Sequence, residues 1–192
     1  MLLSTSCPAC GAIGPAPCPS CRSAVRRAPA LPRPPGVTSC AALLAYDGVG
    51  REIVARLKYA NARSALPWLA DGMAGLATAP ADAVTWVPTT PQRRRRRGFD
   101  HGRLLAGAVA RRLALPCRPM LARLPGPPQT GRTRAERLDG PRLLVPAGAA
   151  LPRRVILIDD VATTGATLSA AARALIAAGA AEVHAVVAAR RA

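Results

Sequence analysis

Aromatic residues are scarce: one Phe, two Tyr and two Trp among 192 residues. A core must therefore be built from Ala, Leu, Val and Ile, and base-by-base stacking of a nucleic acid on aromatic faces has few platforms. Lysine is nearly absent. Lys58 is the single one, and the rest of the 27 basic residues are arginine. Acidic residues number only 10, which leaves a net charge of +17 at pH 7. Long apolar runs are missing as well. No uninterrupted stretch approaches the roughly 20 residues that a membrane span needs. The start, Met1 to Cys7, lacks the basic residues and the long apolar centre of a signal peptide, so a cytoplasmic protein without a membrane span is expected.

What is present is half apolar by composition, enough for one domain of moderate size with room for a small appendage. Enrichment in Arg, Ala, Gly and Pro points to a GC-rich genome. Codon bias can exchange Lys for Arg, but that exchange conserves charge, so the excess of positive charge still calls for a reason. Polyanionic partners supply one: pyrophosphate-bearing substrates or nucleic acid. The bland alternative is a basic surface with no dedicated partner.

Four of the six cysteines form two Cys-x-x-Cys pairs, Cys7 with Cys10 and Cys18 with Cys21, separated by seven residues. Such knuckles turn both sulfurs toward one ion, and the set matches a four-thiolate tetrahedral zinc site. Gly11, Gly14, Pro15 and Pro17 suit the tight return between them. So short a segment has no core, and metal binding would supply its folding energy. The role is structural, because four sulfur ligands leave no open position. Two disulfides are disfavoured by a reducing compartment, and a redox motif would not explain the second copy. Cys40 and Cys117 have no cysteine neighbours and read as small buried hydrophobes.

Residues 26–38, rich in Pro and Arg, read as an extended, stiff linker. Beyond it, alternating strand and helix signals follow. Residues 38–46 read as a strand. Asp47-Gly48 then turns into a helix with Val49, Ile53 and Leu57 on one face. Residues 65–77 repeat the helical period, with Pro67 in the first turn, where it is tolerated. Val84 to Val87 is a strand ending at Pro88. Thr89 to Gln92 reads as a loop, followed by five consecutive arginines, Arg93, Arg94, Arg95, Arg96 and Arg97. Like charges in a row spread in solvent unless an anion condenses them, and this run follows a strand end, where ligand sites of α/β folds lie. A helix carries Leu105, Val109 and Leu113. Residues 117–124 and 143–145 suit short strands, and residues 126–140 read as a loop containing Arg132, Arg134 and Arg137. Residues 182–188 form a last strand.

One stretch organises all of this: Val155-Ile-Leu-Ile, then Asp159 and Asp160, then Val161, Ala162, Thr163, Thr164, Gly165, Ala166 and Thr167. Four apolar residues suit a strand buried on both faces. A helix with Leu168, Ala172, Leu175 and Ile176 on its apolar side follows and closes at Gly179. A loop of small residues opening a helix presents backbone N–H groups and the positive end of the helix dipole, which favour a phosphate. The threonines can add hydroxyl donors, and Gly165 lets the backbone approach closely. Asp159 and Asp160 cannot serve that phosphate. They suit sugar hydroxyls, or a metal reached through water.

This stretch resembles the phosphoribosyl pyrophosphate (PRPP) signature of type I phosphoribosyltransferases. In that family the paired acids hold the ribose hydroxyls and the loop from 162 to 167 holds the 5′-phosphate. The order of further motifs covers nearly the whole chain: the Cys pairs; Tyr46-Asp47-Gly48 to Leu57-Lys58-Tyr59; Val87-Pro88 before Arg97-Gly98-Phe99-Asp100; Gln129-Thr130-Gly131 to Arg137. That order is similar to the ComF family, phosphoribosyltransferase-like proteins tied to DNA uptake and called GntX-like in some bacteria. The resemblance implies an α/β type I phosphoribosyltransferase fold, a parallel sheet flanked by helices, over residues 39–192. It also implies a four-Cys zinc finger over 1–25, with residues 26–38 between them. It implies Mg²⁺ bound with PRPP, and a part in DNA uptake with its machinery. Two departures stand out: Asp100-His101 where the family often has Asn-Gln, and Arg132 with Asp139-Gly140 where it commonly has Leu and Asn. The first lies in the loop that would face pyrophosphate or base, and His101 is a proton carrier near pH 7 if it reaches the site.

Three function classes are open at this point. In a transferase, pyrophosphate leaves C1 of the ribose as a nitrogen nucleophile attacks. Asp159 and Asp160 would steady the ribose, Ala162 to Thr167 would anchor its phosphate with Val161 beside them in the PRPP site, and Thr89, Thr90 and Arg97 would take the pyrophosphate side. In a binding module, Arg93 to Arg97, Arg132, Arg134 and Arg137 would contact the backbone of single-stranded DNA. A regulator would sense PRPP without turnover.

Overall fold

The computed structural model describes residues 5–30, 32–60, 62–124 and 140–191. The expected loop with Gln129, Arg132, Arg134 and Arg137 lies outside the described residues. So do the side chains of Arg93, Arg96 and Arg97.

Four parallel strands form the main sheet: β1 (Ser39–Ala45), β2 (Ala83–Trp86), β5 (Arg154–Ala162) and β6 (Glu182–Arg190), in the spatial order β1-β6-β5-β2. A two-stranded antiparallel ribbon, β3 (Ala122–Arg123) with β4 (Leu143–Leu144), stands beside it. The helices are α1 (Pro19–Ala24), α2 (Gly48–Tyr59), α3 (Leu66–Leu76), α4 (Pro91–Arg97), α5 (His101–Leu113) and α6 (Ala166–Ala177).

Strand β5 is apolar on both faces because helices cover both. Ile156 and Ile158 pack with Leu44, Ile53, Leu69, Met73, Leu105 and Val109, the side of α2, α3 and α5. Val155 and Leu157 pack with Leu121, Leu168, Leu175 and Val187, the side of α6. This is the period-2 alternation of a strand. Each fully buried Leu or Ile contributes about 1.5–3 kcal/mol. Register between β2 and β5 is pinned at their starts: Asp82 accepts the Arg154 backbone N–H at 2.9 Å and its guanidinium Nη2 at 2.7 Å. Those hydrogen bonds hold the Asp82 carboxyl below the usual carboxylate range.

The strands and helices expected from periodicity are present, with two differences. The arginine run is helical, as α4, rather than an extension of a loop. Pro91 stands at its first position and the Arg94 N–H bonds to Thr90 O; arginine is itself a good helix former. Strand β5 also runs on through the acids to Ala162 rather than ending before them, because Asp159 pairs with Val187, and Val161 and Ala162 with Ala189 and Arg190. Cys40 and Cys117 are half-buried at the borders of the core rather than sealed inside it.

The segment between the cysteines and β1 lies against the sheet. Arg27 bridges Leu44 in antiparallel fashion, the Ala45 N–H bonds to Arg26 O, and Val25 packs on the core. This covers the free edge of β1. Further on, Ser169 Oγ donates to Pro35 O, and Pro34 lies over Gly165.

Candidate functional site

The carboxyl end of β5 is where the chemistry gathers. Alternation along the strand puts Asp159 and Asp160 on opposite faces. Asp160 follows Ile156 and Ile158 toward α2 and α5. There its Oδ1 meets Lys58 Nζ at 2.8 Å and its Oδ2 meets His101 Nε2. All three side chains are nearly dry, at 11%, 14% and 9% exposure. Burial opposes the charge of Asp160, but the His101 hydrogen bond and the Lys58 ammonium outweigh it and hold the carboxyl at about 2. Lys58 sits in the last turn of α2, which packs on β1 and β6, and its side chain reaches the end of β5. His101 opens α5. Its neighbour Asp100 caps that helix, accepting from the Arg103 N–H at 3.3 Å, and also accepts from Trp86 Nε1 at 3.3 Å.

Asp159 turns to the other face. Its Oδ1 accepts the Asp160 backbone N–H at 2.8 Å. Burial and the adjacent Asp160 charge push its carboxyl up to about 8, with Lys58 and Arg123 of β3 offsetting only part. The folded chain thus holds this proton to higher pH than an unfolded one, whose Asp releases it near 3.9. A raised acid loses stability as pH climbs between those values. Asp159→Asn is therefore expected to match the wild type near pH 4. At pH 8 it should be more stable, by on the order of 1–2 kcal/mol once screening of a half-buried group is allowed for. Urea unfolding across that range checks it, and parallel curves would refute the assignment.

The loop after the strand is exposed only in part. Thr163 and Thr164 are exposed, while Gly165 is buried and Val161, Ala166 and Thr167 are half-buried. Thr164 Oγ1 accepts the Ala166 N–H at 3.3 Å, and α6 starts there. Gly165 has φ 78°, and a Cβ on it would sit 2.8 Å from Pro34 Cγ. Gly165→Ala should cost about 1–2 kcal/mol from the left-handed backbone alone, more if Pro34 cannot yield. A denaturation midpoint equal to that of the wild type would contradict this.

Thr89 and Thr90 follow the end of β2 and are half-buried. The Val87 N–H bonds to Ile158 O, which sets this segment beside the acids. Arg94 and Arg95 of α4 are exposed.

At the other end of the chain the sulfurs of Cys7, Cys10, Cys18 and Cys21 all lie within 4.8 Å of one another, with Cys10 and Cys18 at 3.6 Å. A tetrahedron with metal–sulfur bonds of about 2.3 Å has edges of about 3.8 Å, so the set can hold such an ion. No disulfide joins these cysteines. Burial opposes ionisation of Cys7, but backbone N–H groups of Cys18, Cys10 and Ala9 outweigh it and draw the thiol down to about 6.

Sequence reasoning singled out the acids, the loop and the cysteines, but not Lys58 as a site residue. A signal existed: it is the one lysine kept in a chain that otherwise uses arginine.

Residues 100–192 match the family model described as the phosphoribosyl transferase domain. Two solved structures are similar over 66% of this chain, each with a TM-score of 0.48. One is the allosteric regulatory enzyme of purine biosynthesis, at 25% identity. The other is glutamine PRPP amidotransferase from B. subtilis complexed with ADP and GMP, at 26% identity. The matched part spans 26% of each of those chains. No curated protein matches. The match from Asp100 onward takes in α5, β5 with both acids, the loop and α6, so the carboxyl-terminal part of this α/β chain is similar to a phosphoribosyl transferase domain.

Proposed function

We propose that the chain binds PRPP at the carboxyl end of β5 and works as a ComF-type protein. The observation that carries this reading is the acid pair at the end of a central parallel strand, continuous with a Thr-Thr-Gly-Ala-Thr loop that exposes Thr163 and Thr164 and starts α6. The loop from 163 to 167 takes the 5′-phosphate through N–H and hydroxyl donors, with the dipole of α6 behind it. This orients the sugar and does no chemistry itself. Asp159 accepts a ribose hydroxyl, and the segment from Val87 to Thr90 lies on the pyrophosphate side.

Of the two acids, Asp159 is the one that fits Mg²⁺: its carboxyl would hold the ion through oxygen, whereas both Asp160 oxygens are taken by Lys58 and His101. When bound, that ion neutralises the leaving pyrophosphate. His101 is committed to Asp160 through Nε2, which makes it a positioning residue. The four thiolates hold zinc as a structural ion.

Whether pyrophosphate is released to a nucleobase acceptor is tested by incubating the chain with PRPP, Mg²⁺ and a panel of bases. Release that depends on one base, and that is abolished by Asp159→Asn, makes it a transferase. Binding without release makes it a PRPP sensor. No binding refutes the proposal.

A second reading has its own support in the +17 charge and the exposed Arg94 and Arg95: contact with the phosphates of single-stranded DNA during uptake. Replacing Arg93 to Arg97 by Ala would then weaken DNA binding and flatten its salt dependence. An unchanged slope in fluorescence anisotropy removes this role.

A further inference from the structure

Asp160 faces a conflict that the PRPP reading alone does not resolve. Both of its oxygens are engaged, by Lys58 and by His101, and only 11% of its side chain is exposed. Each oxygen could accept a second hydrogen bond, but with so little of the side chain exposed a sugar hydroxyl gains room on it when one partner leaves. The two partners differ in freedom. His101 is 7% exposed and sits in the first turn of α5, whose cap Asp100 is itself tied to Trp86 and Arg103. Lys58 is next to last in α2, on a flexible four-carbon stem, with the ring centre of Tyr46 5.9 Å from its ammonium. Lys58 is the partner able to move. An ammonium leaving a carboxylate in a nearly dry site needs another anion at once. A phosphoribosyl pyrophosphate brings one on C1, next to the hydroxyls that would displace it.

We propose that Lys58 is a pyrophosphate-binding residue that exchanges partners, closing on Asp160 in the free protein and passing to the pyrophosphate when the ribose arrives. The exchange conserves charge: one ion pair is broken and one is made, and Asp160 is released to the sugar. It also gives the site a preference for a sugar phosphate that carries pyrophosphate over one that does not, since only the former receives the displaced ammonium. An ammonium is suited to this as a compact, mobile point charge, whereas the planar fork of an arginine favours staying on the carboxylate. The inference rests on the PRPP reading.

The single lysine makes the test direct. Wild-type protein is acylated with a lysine-directed ester, and modification of Lys58 is read by peptide mass spectrometry in three states: free, with ribose 5-phosphate, and with PRPP and Mg²⁺. Calorimetry on the same samples establishes occupancy. Ribose 5-phosphate should raise the acylation rate several-fold, and PRPP should leave it at or below the level of the free protein. In parallel, Lys58→Met should lose about tenfold or more in PRPP affinity while binding ribose 5-phosphate as well as the wild type or better. Lys58→Arg should keep part of the PRPP affinity. Equal acylation in all three states with both ligands demonstrably bound overturns the exchange, as does an equal loss of both ligands in Lys58→Met. Should Lys58→Met fail to fold, the acylation of wild-type protein still decides. A wild type that binds neither ligand overturns the PRPP reading and this inference with it.

Discussion

Asp160→Ala is expected to lower the unfolding free energy by about 3–5 kcal/mol at pH 7, a shift in Tm of roughly 6 to 20 °C for a chain of this size. The residue joins three elements distant in sequence: β5, the end of α2 and the start of α5. Removing it strands Lys58 without its counter-charge and His101 Nε2 without its carboxylate partner, both nearly dry. The pH dependence distinguishes this from simple loss of packing. The carboxyl is held at about 2, because His101 and Lys58 overcome the burial that would raise it. A folded value below the unfolded one, near 3.9, means the contribution is complete above about 4 and is lost as pH falls toward 2. The gap between variant and wild type should therefore be full at pH 5 and shrink by pH 2.5. Urea unfolding at both values measures it, and equal stability at pH 5 would show that the triad carries nothing. Asp159 has the opposite signature, so the two adjacent acids are separable by pH alone.

Cys18→Ser is expected to reduce bound zinc from about one ion per chain to below about a tenth, since one lost thiolate opens a four-sulfur site. The consequence should extend beyond the module. Ala9 and Val25 pack on the main core, Ser64 Oγ donates to Ser6 O at 2.9 Å, and Arg26 pairs with Asp47 at 2.9 Å. Asp47 is the residue from which α2 starts, and α2 ends at the Lys58 ion pair. Loss of metal should thus lower Tm and leave the main domain folded, with weaker PRPP binding through a displaced α2. Elemental analysis with circular dichroism checks the first part. Equal zinc in variant and wild type would contradict the four-thiolate assignment.

Much of this was legible without coordinates because it is coded locally. Val155 to Ile158 read as a strand covered on both faces, and the spacing of Leu168 and Leu175 as the helix behind it. The cysteine spacing named its own cluster. What was not legible is of three kinds. Strand alternation already separates Asp159 from Asp160, yet a motif read as a pair hides that its members face different neighbours. Contacts across long separations are hidden altogether: Lys58 with Asp160, His101 with Asp160, and Pro34 against Gly165 depend on how α2, α5 and the Pro-rich segment are laid over the sheet. The arginine run was a third case. Charge repulsion argues for an extended loop, but Pro91 and the helix propensity of arginine prevail locally in α4.

The central claim is that the carboxyl end of β5 and the loop behind it hold a phosphoribosyl group. Calorimetric titration of the zinc-loaded wild type with PRPP and Mg²⁺, repeated with Asp159→Asn, tests it most directly. Saturable one-to-one binding that the substitution removes is the predicted result. No heat of binding up to millimolar ligand, or the same affinity in both proteins, would contradict it.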